Sequence, residues 1–286
     1  MSTNLSFSFE LFPPRTPEGV AKLPAMIRRL AEVRPKYFSI THGAGGSDQN
    51  GTSETLAAVL EHGGGVEAAP HLTCVGSTRD EVAALLERYR SAGVKRIVAL
   101  RGDLPATAMS AAAPGDFHYA NELVSFIRER QGDAFLIEVA AYPEMHPQAS
   151  SPAADFGHFR RKVEAGADGA LTQLFFNAGA YFDFMERCAK AGIVIPIVPG
   201  IMPITGYSNT VRFCNGCGAD LPRWVRLRLE ELQEDKSGLV EFGLEVVTRL
   251  CETLLGNGAP GLHFYTVNQA EIPLRLWKNL KLPMPA

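Results

Sequence analysis

The chain has no hydrophobic run long enough to cross a lipid bilayer. Its longest apolar stretch, IVIPIVPGIMPI at 193–204, contains three prolines and is shorter than the roughly 20 apolar residues that a membrane-spanning helix needs. The amino-terminal sequence MSTNLSFSFE also lacks the basic segment and apolar core of a signal peptide. We therefore expect a cytoplasmic protein without membrane partners.

Cysteine and positive charge are scarce as well. Five cysteines among 286 residues are an odd number, which favours reduced thiols over a framework of disulfides. Cys214 and Cys217 have the C-x-x-C spacing, but no second pair of ligands accompanies them, so two ordinary thiols are favoured over a zinc or redox site. The formal net charge of -3 leaves no positive excess for binding nucleic acid.

Motifs for three common chemistries are missing. The glycine-rich segment HGAGGSD (42–48) does not fit the G-x-G-x-x-G pattern of a dinucleotide-binding fold. No predicted strand end carries a lysine, which disfavours Schiff-base chemistry. Histidines and carboxylates form no cluster at ligand spacing, so we expect no metal site.

What the sequence does contain is a repeated alternation of strand-like and helix-like segments. The helical segments show one apolar stripe, as at Val240, Leu244 and Val247. The eight strand-like runs are SFSFELF (6–12), KYFSITH (36–42), PHLTCV (70–75), RIVALRG (96–102), LIEVAAY (136–142), GALTQLFF (169–176), PIVPGIM (196–202) and GLHFYTV (261–267). Because no linker divides the repeats, we expect residues 1–286 to form one domain, an α/β fold with a single (βα)8 TIM barrel.

Residues typical of helix ends separate these segments. Thr78 and Glu81 have the spacing of a capping box, and Ser151 followed by Pro152 predicts another helix start. Three glycines that follow predicted helices are candidates for left-handed helix ends, namely Gly93, Gly166 and Gly192.

Polar residues concentrate at the carboxyl ends of the predicted strands. In a (βα)8 barrel the active site lies at these ends, so they form the candidate site. In chain order the ends carry Glu10, Thr41, His42, Thr73, Arg101, Gly102, Asp103, Tyr142, His146, Gln173, Met202 and Tyr265.

The first strand predicts the direction in which Glu10 points. Side chains alternate along a strand, so Phe7 and Phe9 should face the helices while Glu10 points into the barrel. Burial among aromatic rings raises the pKa of a carboxyl group and keeps a proton available for donation near neutral pH. An equally open alternative is a structural ion pair with an arginine such as Arg15 or Arg101.

The fourth strand-like run ends in Arg101, Gly102 and Asp103, which allows two interpretations. One is the Arg-Gly-Asp tripeptide that cell-surface receptors bind, but a cytoplasmic protein meets no such receptor. The other is an active site, in which Gly102 lets a ligand approach the backbone and Asp103 accepts two hydrogen bonds from a planar edge such as that of a pterin. A turn role before Pro105 is the commoner use of a lone aspartate.

Two further segments carry candidate ligand-binding residues. Tyr142 and His146 lie in AAYPEMHP (140–147), where two prolines would make a rigid platform. Arg161 and Lys162 lie on the helix predicted to begin at Ser151, where they could pair with a diphosphate or form a solvated basic face.

Together, seven segments resemble the 5,10-methylenetetrahydrofolate reductase family. They are FSFELFPPRTPEG, PHLTC, VALRGDLP, AAYPEMHP, RRKVEAGADGALTQLFF, PGIMPIT and HFYTVN, and they extend from Phe7 to Asn268. The resemblance implies a bacterial-type flavoprotein barrel consisting of the catalytic domain only. It also implies that NADH or NADPH reduces FAD, and that the reduced flavin passes hydride to methylenetetrahydrofolate, giving 5-methyltetrahydrofolate for methionine synthesis.

The resemblance implies roles for individual positions. Glu10 matches the family's general acid, and Asp103 matches an aspartate near both flavin and pterin. The positions that match flavin contacts are Thr41, His42, Ala44, His71, Arg101, Gly102, Asp103, Tyr119, Ala120, Tyr142, His146, Ala149, Asp155, Arg161 and Lys162. The positions that match folate contacts are Asp103, Gln173, Tyr207, Tyr265 and Gln269. His42 departs from the tyrosine of many members, and Gln269 departs from an arginine found in some.

The expected partners are small molecules, namely FAD, NADH or NADPH, and methylenetetrahydrofolate, with no nucleic acid. We also expect a homo-oligomer. Two alternatives are a flavin- or folate-binding barrel that has lost catalysis and a secreted adhesion protein. The presence of Glu10 argues against the first, and the missing signal peptide argues against the second.

Overall fold

Strands and helices alternate along most of the chain, as the sequence pattern predicts, except that three successive helices precede the last strand. A computed structural model describes residues 5–42, 49–102 and 115–284. The strands are β1 (Ser6–Leu11), β2 (Tyr37–Ile40), β3 (Glu67–Thr73), β4 (Arg96–Leu100), β5 (Leu136–Ala141), β6 (Gly169–Thr172), β7 (Ile197–Val198), β8 (Gly200–Ile201) and β9 (Gly261–Tyr265). The helices are α1 (Pro17–Ala31), α2 (Gln49–His62), α3 (Arg79–Ser91), α4 (Ala120–Gln131), α5 (Pro152–Glu164), α6 (Ala178–Lys190), α7 (Tyr207–Cys217), α8 (Arg223–Glu231), α9 (Lys236–Gly256) and α10 (Glu271–Asn279).

The strands form a nearly closed parallel barrel. Neighbouring strands from β1 to β7 pair in parallel, and β1 also pairs with β9. Strands β7 and β8 are two halves of one segment around Pro199, where β7 pairs with β6 and β8 pairs with β9. Proline has no N–H for a strand ladder, which accounts for the break. The predicted (βα)8 class is confirmed, and the seventh strand-like run differs only in being divided.

The hydrophobic core lies between the barrel and the surrounding helices. The ring of Phe9 is fully buried and packs against Phe38, Phe264 and Trp277. Glu10, on the opposite face of β1, points into the barrel and is 6% exposed. The predicted alternation along the first strand is therefore confirmed, and polar groups occupy the barrel interior.

The predicted helix ends are also confirmed. Thr78 and Glu81 form a reciprocal capping box at the start of α3, and the Ser151 hydroxyl accepts a hydrogen bond from the Ala154 N–H at the start of α5. The three glycines predicted to follow helices have positive φ angles, of 81° at Gly93, 110° at Gly166 and 71° at Gly192. None of the helices within the described ranges is both long and apolar enough to cross a membrane.

Candidate active site

A cleft of about 630 Å³ opens at the carboxyl ends of the strands. Its size falls in the range of small-molecule and cofactor sites. Most positions predicted to contact flavin line it, together with one predicted to contact folate. These lining residues are His42, His71, Arg101, Gly102, Tyr119, Ala120, Tyr142, His146, Ala149, Asp155, Arg161, Lys162 and Gln173.

Other predicted positions lie elsewhere. The Thr41 carbonyl, just after β2, accepts a hydrogen bond from the Thr52 hydroxyl, and Thr41 is not among the lining residues. Tyr207 begins α7 and is half-buried, whereas Gln269 is exposed in the turn before α10. Ala44 and Asp103 lie outside the described residues. Their proposed roles therefore stay predictions.

Tyr265 ends β9 inside the barrel rather than in the wall of the cleft. Its hydroxyl donates a hydrogen bond of 2.6 Å to the Thr172 carbonyl. Burial holds the pKa of Tyr265 well above its ordinary value, so the phenol stays neutral. This hydrogen bond links the end of β9 to the end of β6. Contact of Tyr265 with folate stays a prediction.

Glu10 has histidine neighbours in the barrel. Its Oε2 atom lies 3.4 Å from Nε2 of His71 and 3.6 Å from Nε2 of His263. Burial lowers the pKa of His71 to about 4, although the charge of Glu10 opposes this shift, so His71 is neutral at pH 7. No arginine in the described part of the chain lies within ion-pair distance of Glu10, so the alternative pairing with Arg15 or Arg101 is wrong.

Arg101 and Gly102 shape one wall of the cleft. Nη2 of Arg101 donates a hydrogen bond of 2.6 Å to Oε1 of Gln148, and Nε donates to the Gly102 carbonyl at 3.2 Å. Gly102 has a φ of 88°, and a Cβ atom there would lie 3.0 Å from Cβ of Thr73. Only glycine fits this conformation and spacing without strain, so the backbone stays open to the cleft.

The loop after β5 presents two aromatic rings. The rings of Tyr142 and His146 meet edge to face, with centroids 4.7 Å apart. The backbone N–H of His146 donates a hydrogen bond of 3.2 Å to Oδ2 of Asp155, which connects the loop to α5. Met145 between them has a φ of 105°, which is strained for a residue with a side chain. Such strain is common at ligand-binding loops.

The half-buried side chain of Lys162 brings a cation to the cleft. Its ammonium group donates a hydrogen bond to the Ala140 carbonyl at the end of β5. Burial lowers the pKa of Lys162 to about 8, with Asp155 opposing that shift. Arg161 is exposed at the cleft margin. An ammonium group that is partly removed from water favours an anionic ligand.

These residues fit a flavin dinucleotide. Lys162, Arg101 and Arg161 provide positive charge for a diphosphate, and Gly102 leaves room for a flat ring against the backbone. His71 provides a buried Nε2 atom that has no hydrogen-bond partner among the described residues. Within the same residues, no group of three histidine, cysteine or carboxylate side chains could hold a metal ion.

The C-x-x-C segment lies beside this cleft. Cys217 is partly exposed and lines the cleft, whereas Cys214 is buried in the same helix, α7. The Cys217 thiol donates a hydrogen bond to the Cys214 carbonyl, with 3.7 Å between sulfur and oxygen. Burial raises the pKa of Cys214 to about 12, so its thiol stays protonated. These contacts give the pair no metal-binding arrangement.

Sequence reasoning missed several residues of this region. His263 lies inside the barrel, where Nδ1 is 2.7 Å from the Ser8 hydroxyl oxygen. Its inward direction was available from the alternation in GLHFYTV, because Gly261 and Tyr265 share its face. Gln148 lies in the loop after β5 and Cys217 at the end of α7, and no sequence signal indicates that they line one cleft.

The fold and cleft define a (βα)8 barrel with a basic ligand-binding mouth at the carboxyl ends of its strands. Residues 1–281 match the family model described as methylenetetrahydrofolate reductase, and the chain belongs to this family. The resemblance drawn from the seven segments is thereby confirmed.

Named relatives agree with this membership. The 5,10-methylenetetrahydrofolate reductase of Salmonella typhimurium is 39% identical over 279 residues, which cover 96% of this chain and 90% of that protein. Methylenetetrahydrofolate reductase (NADH) 1 of Arabidopsis thaliana is 36% identical over 287 residues, covering 97% of this chain and 48% of that protein.

A solved structure supports the fold. It is described as an uncharacterized protein from Clostridium thermocellum that binds two copies of 5-methyl-5,6,7,8-tetrahydrofolic acid. The TM-score is 0.68, the identity is 16%, and the match covers 97% of this chain and 94% of that chain. At this identity the likeness concerns the barrel alone.

Proposed function

We propose that this protein reduces 5,10-methylenetetrahydrofolate to 5-methyltetrahydrofolate, using NADH or NADPH as reductant and FAD as cofactor. The observation that carries this proposal is that most of the predicted flavin positions and Gln173, a predicted folate position, line the same cleft. A single catalytic domain, cytoplasmic location, homo-oligomeric assembly and a role in supplying methyl groups for methionine synthesis are parts of the same proposal.

The cofactor site follows from the charge of the cleft. Lys162 and Arg101 would hold the diphosphate, and the edge-to-face pair of Tyr142 and His146 would support a planar part of FAD. The chemistry that FAD supplies when bound is hydride transfer between the nicotinamide and the folate. Gln173 would orient the folate in the same cleft, so that the donor and acceptor carbons come into contact.

We assign the proton that the folate reaction needs to Glu10. Opening the five-membered ring of the substrate to an iminium requires a proton at N10. The carboxyl group of Glu10 is buried and lies 3.4 Å from His71, which lines the cleft. His71 is neutral at pH 7, so it forms no strong ion pair with the side chain of Glu10.

The purified protein is expected to contain non-covalent FAD, with its yellow absorption band, and to bleach when NADH or NADPH is added without oxygen. Methylenetetrahydrofolate should then restore the band as 5-methyltetrahydrofolate forms. A colourless protein that neither takes up FAD nor bleaches would refute the flavoenzyme. A protein that binds FAD but never turns over would instead support the binding barrel that has lost catalysis.

The pKa of Lys162 predicts how FAD binding changes with pH. Burial lowers this pKa to about 8, and a diphosphate favours the charged ammonium. Above pH 8 the free protein must therefore take up a proton when it binds FAD. We expect the affinity to be constant below pH 8 and to fall by about tenfold for each further pH unit, as fluorescence titration would measure.

Lys162→Arg is the matched test, because its guanidinium stays charged and should make the affinity independent of pH. Lys190→Arg, on the exposed face of α6, should keep the wild-type profile.

In the cofactor-free protein, the unfolded chain binds a proton that the folded chain releases between about pH 8 and the ordinary pKa of 10.5. Conformational stability should therefore rise across that window. A wild-type FAD affinity that did not change with pH would contradict the pairing of Lys162 with the diphosphate.

A further inference from the structure

The end of β1, which carries Glu10, is held by a short turn that follows β9. β1 and β9 are paired in parallel with Glu10 opposite Tyr265, so the turn at 266–268 lies beside the end of β1. Hydrogen bonds from this turn pair with backbone groups of Glu10 in β1 and of Phe12 just after it. The hydrogen bonds join Thr266 and Asn268 of the turn to Glu10 and Phe12.

Asn268 binds both polar groups of a single backbone residue. Its Oδ1 accepts a hydrogen bond of 2.9 Å from the Phe12 N–H, and its Nδ2 donates one of 2.7 Å to the Phe12 carbonyl. The carboxamide therefore fixes Phe12 in position and in orientation, as a strand neighbour would.

Thr266 holds the carbonyl of Glu10 itself. Its hydroxyl donates a hydrogen bond of 2.6 Å to that carbonyl, and its N–H donates to the same oxygen at 3.3 Å. The hydroxyl oxygen in turn accepts from the Asn268 N–H at 3.1 Å. Thr266 and Asn268 thus act on Glu10 and Phe12 as one connected unit, which we call the Asn268 clamp.

The clamp requires an uncommon backbone conformation. Val267 has a φ of 49° and Asn268 a φ of 53°, two successive residues in the left-handed region. Asparagine tolerates this region, but a β-branched valine rarely adopts it. Strain of this kind persists where the surrounding structure imposes it, and it is concentrated at functional sites.

We propose that Asn268 is a positioning residue that aims the carboxyl group of Glu10, an inference that rests on the proposed function. Asn268 is not among the residues that line the cofactor cleft, so its effect should be confined to the proton-dependent reaction of the folate. Loss of the clamp would let the end of β1 move, and small displacements of a reacting group lower rates strongly.

Asn268→Gly is the sharpest test, because glycine keeps the left-handed turn without strain while removing the carboxamide. We expect faster hydrogen exchange at the Phe12 amide and a folate half-reaction slowed by ~10- to 100-fold, with flavin reduction by the nicotinamide unchanged. Asn268→Asp keeps the acceptor for the Phe12 N–H and loses the donor, so an intermediate rate is expected.

Asn257→Gly is the matched control. Its side chain also donates to a backbone carbonyl, that of Thr253, but at the end of α9, which leads to the opposite end of the barrel. This variant should match the wild type in both half-reactions. Equal slowing of both half-reactions in Asn268→Gly, or unchanged Phe12 exchange, would overturn the positioning role. A wild-type protein that holds FAD but never reduces methylenetetrahydrofolate would overturn the proposed function, and the positioning role with it.

Discussion

Glu10→Gln should lose the reaction with methylenetetrahydrofolate by a factor on the order of 10² to 10⁴, while the nicotinamide still reduces the flavin. Glutamine keeps the shape of the side chain but has no proton to give to N10 of the substrate. Only the folate half-reaction needs that proton, so stopped-flow measurement of each half-reaction separates the two effects.

The environment of Glu10 makes this variant informative. The carboxyl group faces His71 and His263 at 3.4 and 3.6 Å, and it forms no ion pair with an arginine in the described part of the chain. The Glu10→Gln substitution should therefore leave the fold intact. Glu67→Gln, a half-exposed carboxyl at the other end of the barrel, is the matched control and should leave both half-reactions intact. Equal losses in both half-reactions of Glu10→Gln would point to a structural role.

The strands could be predicted from the sequence because hydrophobic periodicity is a local property. Alternation in SFSFELF correctly placed Glu10 inside the barrel and Phe9 against the helices. The start of β3 was missed by three residues, since β3 begins at Glu67 and the predicted run began at Pro70. Proline and alanine are poor strand formers, and here the pairing with β2 imposes the strand.

The candidate site was predictable where it depends on strand ends and less so where loops meet. Thr73, Arg101 and Gln173 lie at or just after strand ends, and the parallel barrel brings them to one mouth. The bond between Arg101 and Gln148 joins loops 47 positions apart. The local sequence does not predict such a contact, because the contact depends on how two strands and their loops are arranged in space.

The second prediction with a large expected effect concerns conformational stability. It involves Arg96, which begins β4 inside the amino-terminal end of the barrel. Arg96 is 5% exposed, and its Nη1 donates a hydrogen bond of 2.5 Å to Oε1 of Glu138. Its guanidinium also lies 4.7 Å from the ring centre of Tyr37. Arg96→Met should lower the free energy of unfolding by about 3–5 kcal/mol, because it leaves the Glu138 carboxylate buried without its partner. Chemical denaturation of the cofactor-free protein would measure this loss.

The same variant should respond to pH in a characteristic direction. Burial raises the pKa of Glu138, while Arg96 opposes that shift, so removing Arg96 should raise this pKa further. The folded variant then binds a proton before the unfolded chain does, and its stability should increase as the pH falls through the folded pKa.

Arg96→Met combined with Glu138→Leu should recover most of the lost stability, because no buried charge remains. Arg249→Met, which breaks an exposed pair with Glu245, should cost less than about 1 kcal/mol. An equally small cost for Arg96→Met would show that Glu138 is solvated by water within the barrel.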